Sequence, residues 1–231
     1  MHHEICTFAS FVYSSGKGIP GKGKILTQLS TFWFNRLSAA KGRHHLVTAD
    51  INEMPAEVQK YRDQLEGRVM LVKRCQILPV EAIVRGYITG TCFLQMSYSM
   101  LGSGMKEYKE KGTICDIPLP KGLVESAPLS APLFTPSTKA EIGDHGAFLM
   151  QSHHSDENIH PSKLLGIIGE HRAQEMEKWA VELYTQAREY AAERGVLIAD
   201  TKFEFGVDAN GSMVLVDEVL TPGQFLDSSG C

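Results

Sequence analysis

Residues 197–219, LIADTKFEFGVDANGSMVLVDEV, constrain the fold more than any other stretch of the chain. Two runs rich in β-branched, aromatic and aliphatic residues flank Asn210-Gly211, the strongest short-range signal for a hairpin. With Asn210 and Gly211 as a two-residue loop, Ala209 faces Ser212, and outward pairing sets Glu204 directly opposite Asp217. Side chains alternate along a strand, so Asp200, Lys202 and Glu204 share one face and Asp217 joins it from the partner strand. A four-residue loop keeps all four there, whereas an odd-length loop breaks the cluster.

Two carboxylates directly opposite on a sheet repel each other. A solvated hairpin face on which Lys202 neutralises one acid accounts for the pattern. A divalent cation accounts for it equally well. Mg²⁺ takes one or two carboxylates and completes its shell with phosphate and water. Lys202 beside such a pair meets a phosphate oxygen as a point charge.

The chain has 231 residues, enough for one large domain or two modest ones. Its net charge of −4 does not favour a nucleic-acid surface. Cys6, Cys75, Cys92, Cys115 and Cys231 are odd in number and form no CxxC pair, which points to a reducing compartment rather than a disulfide frame or zinc knuckle. No apolar run approaches the roughly 20 residues that span a bilayer. These features read as a cytoplasmic protein without a membrane or nucleic-acid partner.

Residues 5–13 suit a strand. Residues 16–21 then match GxGxxG, with an apolar helix expected over 25–37 and a second strand over 45–49. A dinucleotide-binding oxidoreductase fits this poorly. Pro20 removes an N–H where a pyrophosphate would be met, and Asp50 lies too far along to hold a ribose. No Gly-Lys-Ser/Thr completes a phosphate loop either. Residues 68–75 and 80–88 read as strands joined by Gln76-Ile77-Leu78-Pro79, with Glu81, Ile83 and Arg85 on one face of the second. Arg85 before Gly86 is either an anion fork, with the glycine admitting a ligand to the backbone, or an edge-strand arginine in a surface ion pair. Residues 106–140 are loop-rich. A short helix is expected over 162–168 and a long one over 170–194, with a core stripe at Ala173, Met176, Ala180, Leu183, Ala187 and Tyr190, and Gly195 as its stop. The pairs His2-His3, His44-His45 and His153-His154 lack metal-ligand spacing.

Five blocks, in order along the chain, resemble one family. They are GIPGKGKILTQLSTFWF (18–34), LPVEAIVRGYITG (78–90), YKEKGTICDIPLPKGLVESAPL (108–129), FTPSTKAEIGDH (134–145) and ADTKFEFGVDANGSMVLVDEVLTP (199–222). The family is SAICAR synthetase, phosphoribosylaminoimidazole-succinocarboxamide synthase of purine biosynthesis. The resemblance implies an α+β, two-lobed ATP-binding fold. Residues 1–78 would be an incomplete N-terminal nucleotide-binding lobe, and 79–231 a C-terminal lobe with the substrate and metal site. It further implies an ATP- and Mg²⁺-dependent ligase whose partners are small molecules: L-aspartate, carboxyaminoimidazole ribotide (CAIR) and ATP.

Carried over by motif position, Glu204 and Asp217 resemble the magnesium carboxylates and Lys202 the nucleotide-phosphate lysine. Gln76, Leu78 and Glu81 fall at or beside the nucleotide hinge. Arg85, Ser103 and His145 resemble substrate contacts, and Lys139 and Asp156 catalytic-site residues. The family pattern is interrupted at 91–102 and 146–155, segments that read as translated introns or mis-set exon boundaries, and it breaks off after Pro222. Residues 1–15 match nothing in it. The resemblance therefore also admits an inactive fragment that keeps nucleotide or ribotide binding.

Overall fold

A computed structural model of the chain describes residues 3–7, 19–88, 104–139 and 158–221. The chain divides into two compact units, Met1–Ile77 with Phe203–Gln224, and Leu78–Lys202 with Phe225–Cys231.

The first unit opens with strand β1, His3–Thr7, and helix α1, Lys22–Arg36. Gly21 starts that helix at φ +80, a conformation that glycine adopts without a Cβ penalty. Leu26, Thr27, Ser30, Trp33 and Phe34 form the buried stripe at helical spacing. Strand β2, Leu46–Thr48, is followed by two single-turn helices, α2 (Ala56–Gln59) and α3 (Arg62–Leu65), and then by β3, Val69–Lys73. β3 is the centre of an antiparallel sheet in the order β1-β3-β2. Val69 to Val72 are all buried, so side chains on both faces of this strand are covered. Ile51, Met54, Val58, Val69 and Leu71 make one core cluster with Leu65 against it.

β4, Gln76–Tyr87, is longer than the sequence suggests, because residues 76–79 are strand rather than connection. Pro79 is tolerated there: it has no N–H to give, and its carbonyl accepts from Lys139 N at 3.2 Å.

In the second unit, residues 104–139 carry more regular structure than their prolines promise. α4 is Gly104–Lys111, β5 Thr113–Ile114, β6 Ile117–Pro118, β7 Pro128–Phe134 and β8 Ser137–Thr138. The β5–β6 turn holds Cys115 at φ +51 and Asp116 at φ +62. Glu107 makes that turn possible by accepting from Cys115 N (3.0 Å), Asp116 N (3.2 Å) and Thr113 Oγ1 (2.9 Å). Burial pushes the Glu107 carboxyl up, but these hydrogen bonds and Lys111 hold it below its ordinary value. β7 and β8 both pair antiparallel with β4. α5, Leu164–Ile168, leads into α6, Glu170–Ala192, which packs on β7. The buried stripe of α6 runs Ala173, Met176, Trp179, Ala180, Leu183, Tyr184, Ala187, Ala191, so Tyr190 gives way to Trp179, Tyr184 and Ala191. Gly195 at φ +76 ends the helix, with Gly195 N on Ala192 O and Val196 N on Ala191 O, both at 3.0 Å.

β9, Asp200–Val207, and β10, Met213–Val216, are the last strands among the described residues. The division between the units falls inside β4 and again inside β9. β10 and the 203–207 part of β9 belong to the first unit, where Val219 N donates to Ser30 Oγ of α1 at 3.2 Å. No helix among the described residues is long and apolar enough to cross a membrane.

Candidate functional site

The expected hairpin forms, with a different turn. β9 and β10 pair Met213 with Val207 and Val216 with Glu204, so Glu204 faces Val216 and not Asp217. The cause is Asp208. Its Oδ1 accepts from Asn210 N and Ser212 N, each at 2.9 Å, while Gly211 N returns to Asp208 O and Asp208 N to Ser212 O, both at 3.0 Å. Asp208 therefore opens a type I turn that ends in Gly211 at φ +82, a three-residue loop of odd length. Asn210-Gly211 is the end of this turn rather than the whole of it. Asp217 follows the last paired residue and leaves β10 at φ +60, where strand alternation no longer dictates its side. Glu204 and Asp217 are both half-buried. Along β9, Thr201, Phe203 and Phe205 are buried while Lys202 and Glu204 are half-exposed, as alternation requires.

In the second unit, two ion pairs link β4 to the start of β9. Lys202 Nζ lies 3.0 Å from Glu81 Oε1, with Lys202 37% exposed and Glu81 8%. Glu81, across the sheet, is thus an acid that Lys202 neutralises. Ser137, opposite Glu81 in the β4–β8 register, places its hydroxyl 3.5 Å from the second Glu81 oxygen. Arg85 donates from Nε to Thr135 Oγ1 at 3.1 Å and from Nη1 to Asp200 Oδ2 at 3.3 Å. It is in an ion pair, but not at a surface edge: residues 80–86 of β4 are all buried. Asp200 is expected only as a member of the shared hairpin face, and Thr135 and Ser137 have no expected role. The only hint of them was the polar spacing of ThrProSer at 135–137 and Asp200 two residues before Lys202.

Gly86 has a structural use. A Cβ there would lie 1.9 Å from the Tyr184 hydroxyl, so the space expected for a ligand belongs to Tyr184 of α6. That hydroxyl donates to Ile198 O at 2.7 Å, and burial pushes its pKa up to about 12.

Of the remaining expected site residues, Gln76 is exposed, Leu78 is buried and Lys139 half-buried. Ser103, His145 and Asp156 lie outside the described residues, as do the two interruptions at 91–102 and 146–155, residues 8–18 and 222–231. His44 and His45 are structural in the first unit: Phe34 packs on both rings, and His45 Nδ1 lies 3.1 Å from Leu215 O. His2, His153 and His154 lie outside the described residues.

The family model described as SAICAR synthetase matches residues 8–228. The chain is 44% identical over 214 residues to phosphoribosylaminoimidazole-succinocarboxamide synthase of Geobacter sulfurreducens, covering 93% of this chain and 64% of that protein. It is 49% identical over 205 residues to the enzyme of the same name from Candida albicans, covering 89% and 61%. The chain thus spans a little under two thirds of the length of these relatives. Among solved structures, SAICAR synthase from Saccharomyces cerevisiae complexed with SAICAR superposes with a TM-score of 0.72 at 40% identity, over 90% of this chain and 63% of that one. A SAICAR synthetase in complex with ADP shares the fold at a TM-score of 0.61 and 23% identity, over 94% and 73%.

Proposed function

We propose that this chain, which belongs to the SAICAR synthetase family, is an ATP-dependent ligase that joins L-aspartate to CAIR, giving SAICAR, ADP and phosphate. The observation that carries the reading is Lys202, a half-exposed ammonium anchored on a buried carboxylate beside the strand that carries Glu204. The yeast relative, which is described with SAICAR bound, supports the substrate class.

A carboxylate is a poor electrophile and has to be activated before an amine attacks it. In the proposed reaction the CAIR carboxylate oxygen attacks the γ-phosphorus of ATP and the bond to ADP breaks, leaving an acyl phosphate. The aspartate amine then attacks the acyl carbon, loses a proton and expels phosphate. Phosphoryl transfer of this kind needs mostly positioning and charge neutralisation. Lys202 supplies a cation to the nucleotide phosphates, with Gln76 and Leu78 toward the nucleotide and Glu81 behind the ammonium. Arg85, held in one orientation by Asp200 and Thr135, serves the ribotide, together with Ser103, His145, Lys139 and Asp156.

Glu204 and Asp217 offer hard oxygen ligands for Mg²⁺. A magnesium ion takes one or two carboxylates and fills its shell with phosphate and water. When bound, it would neutralise charge on the transferring phosphoryl group.

The test is ADP release by the purified chain with Mg·ATP and CAIR, with and without L-aspartate. Aspartate-dependent ADP is the expected result. Nucleotide binding without turnover would replace this reading with that of an inactive fragment that keeps its ligand.

A further inference from the structure

We infer that Glu81 sets the strength of nucleotide binding by sharing the Lys202 ammonium with the phosphates, an inference that rests on the nucleotide reading above. The Glu81 carboxylate is buried, with Lys202 Nζ at 3.0 Å on one oxygen and Ser137 Oγ at 3.5 Å on the other. So enclosed, it is badly placed to touch a ligand itself. It also cannot release Lys202 cheaply, because a buried carboxylate without its cation is strongly destabilising. Lys202 is different: its side chain is 37% exposed, and an ammonium carries three donors. A phosphate is therefore met by an ammonium that stays on Glu81.

This arrangement has an electrostatic consequence of definite sign. Two acceptors on one ammonium, each about 3 Å away at a tetrahedral angle, lie about 5 Å apart. Glu81 then repels the phosphate that Lys202 attracts. At that separation the repulsion in a partly solvated site is worth at least about a tenfold change in affinity. Glu81 fixes the four-carbon stem of Lys202 and at the same time keeps a polyphosphate from binding too tightly, which favours departure of the diphosphate product.

The experiment is titration calorimetry of ADP and AMP on the full chain and on Glu81→Gln, which keeps the shape and removes the charge. The variant should bind ADP about tenfold more tightly, with a smaller gain for AMP. Glu81→Asp, which keeps the charge, should show no gain. A role confined to stability would weaken or preserve ADP binding, so an unchanged or weaker affinity in a folded Glu81→Gln overturns the inference. Circular dichroism melting establishes that the variant is folded. If Glu81→Gln does not fold, ADP binding by Glu81→Asp at or above ten times the parent affinity overturns it instead. A parent chain with no ADP affinity at all would sink the nucleotide reading itself, and the inference with it.

Discussion

Replacing Gly86 by Ala tests how the second unit is packed. The new Cβ would stand 1.9 Å from the Tyr184 hydroxyl, 2.9 Å from Cζ and 3.2 Å from Cε1. The strand cannot yield easily, since Gly86 N is tied to Ala199 O at 2.8 Å and residues 80–85 of β4 before it are buried. Tyr184 has to move instead, by roughly 1.5 Å if its oxygen is to regain ordinary contact. That displacement breaks its 2.7 Å bond to Ile198 O and disturbs a ring that is fully buried. Overpacking costs about 1–3 kcal/mol and the lost hydrogen bond about 1 kcal/mol more, for a total of about 3 kcal/mol.

In a chain of this length that is a fall in Tm of about 6–12 °C, or an equivalent shift in the urea midpoint. Tyr184→Phe alone should cost about 1 kcal/mol. In the double variant the closest clash is gone and the hydrogen bond cannot be lost twice, so the two costs should fall short of additive by about 1 kcal/mol or more. A Gly86→Ala variant within about 0.5 kcal/mol of the parent would refute the packing argument. Strict additivity would show that the damage does not run through the tyrosine hydroxyl.

Asp200→Asn should destabilise by about 3–5 kcal/mol in denaturant unfolding, because it leaves the Arg85 guanidinium buried and unneutralised. A loss below 1 kcal/mol would mean that Arg85 finds another anion. Burial lowers His45 from 6.5 to about 4, with the Leu215 carbonyl opposing and His44 and Lys73 assisting. The unfolded chain thus binds the proton that the folded chain refuses. Stability is full above pH 6.5 and falls as the pH drops toward 4, by about 3 kcal/mol in all for this group. His45→Gln should flatten urea unfolding between pH 7.5 and pH 5, and an unchanged slope would rule His45 out as the source. Glu204→Gln and Asp217→Asn should each weaken Mg²⁺-dependent ATP binding in calorimetry with little loss of stability. ATP affinity equal to the parent's in both variants would remove the metal assignment.

What was legible in the sequence is what is written locally. α6 shows a strong 3.6-residue period and stops at Gly195, and both features depend on residues within a turn of each other. The β5–β6 turn is different. Its Cys115-Asp116 pair carries no hairpin signature, and the left-handed backbone is supported by Glu107, eight and nine residues upstream. Gly86 is expected to admit a ligand to the backbone, but what approaches it is Tyr184, almost a hundred residues later. The candidate site suffers most from this limit. The Glu81–Lys202 and Arg85–Asp200 pairs join residues 121 and 115 positions apart, so no local pattern predicts them.

The hairpin shows how one short side chain can redirect a functional argument. Asn210-Gly211 favours a two-residue loop when it stands alone, but Asp208 reaches over the same backbone N–H groups first. The loop gains a residue, and every pair beyond it shifts by one. A shift by one normally exchanges the two faces of a strand, which would carry Asp217 away from Glu204. The chain does not continue as a strand to that point. It leaves β10 at Val216, and Asp217 adopts φ +60, a conformation that a non-glycine residue holds only where its surroundings require it. The odd loop and the left-handed Asp217 are therefore two departures from regular pairing at either end of a four-residue strand. The first undoes the facing of Glu204 and Asp217 that a regular hairpin would give, and the second releases Asp217 from the alternation that would otherwise keep them apart.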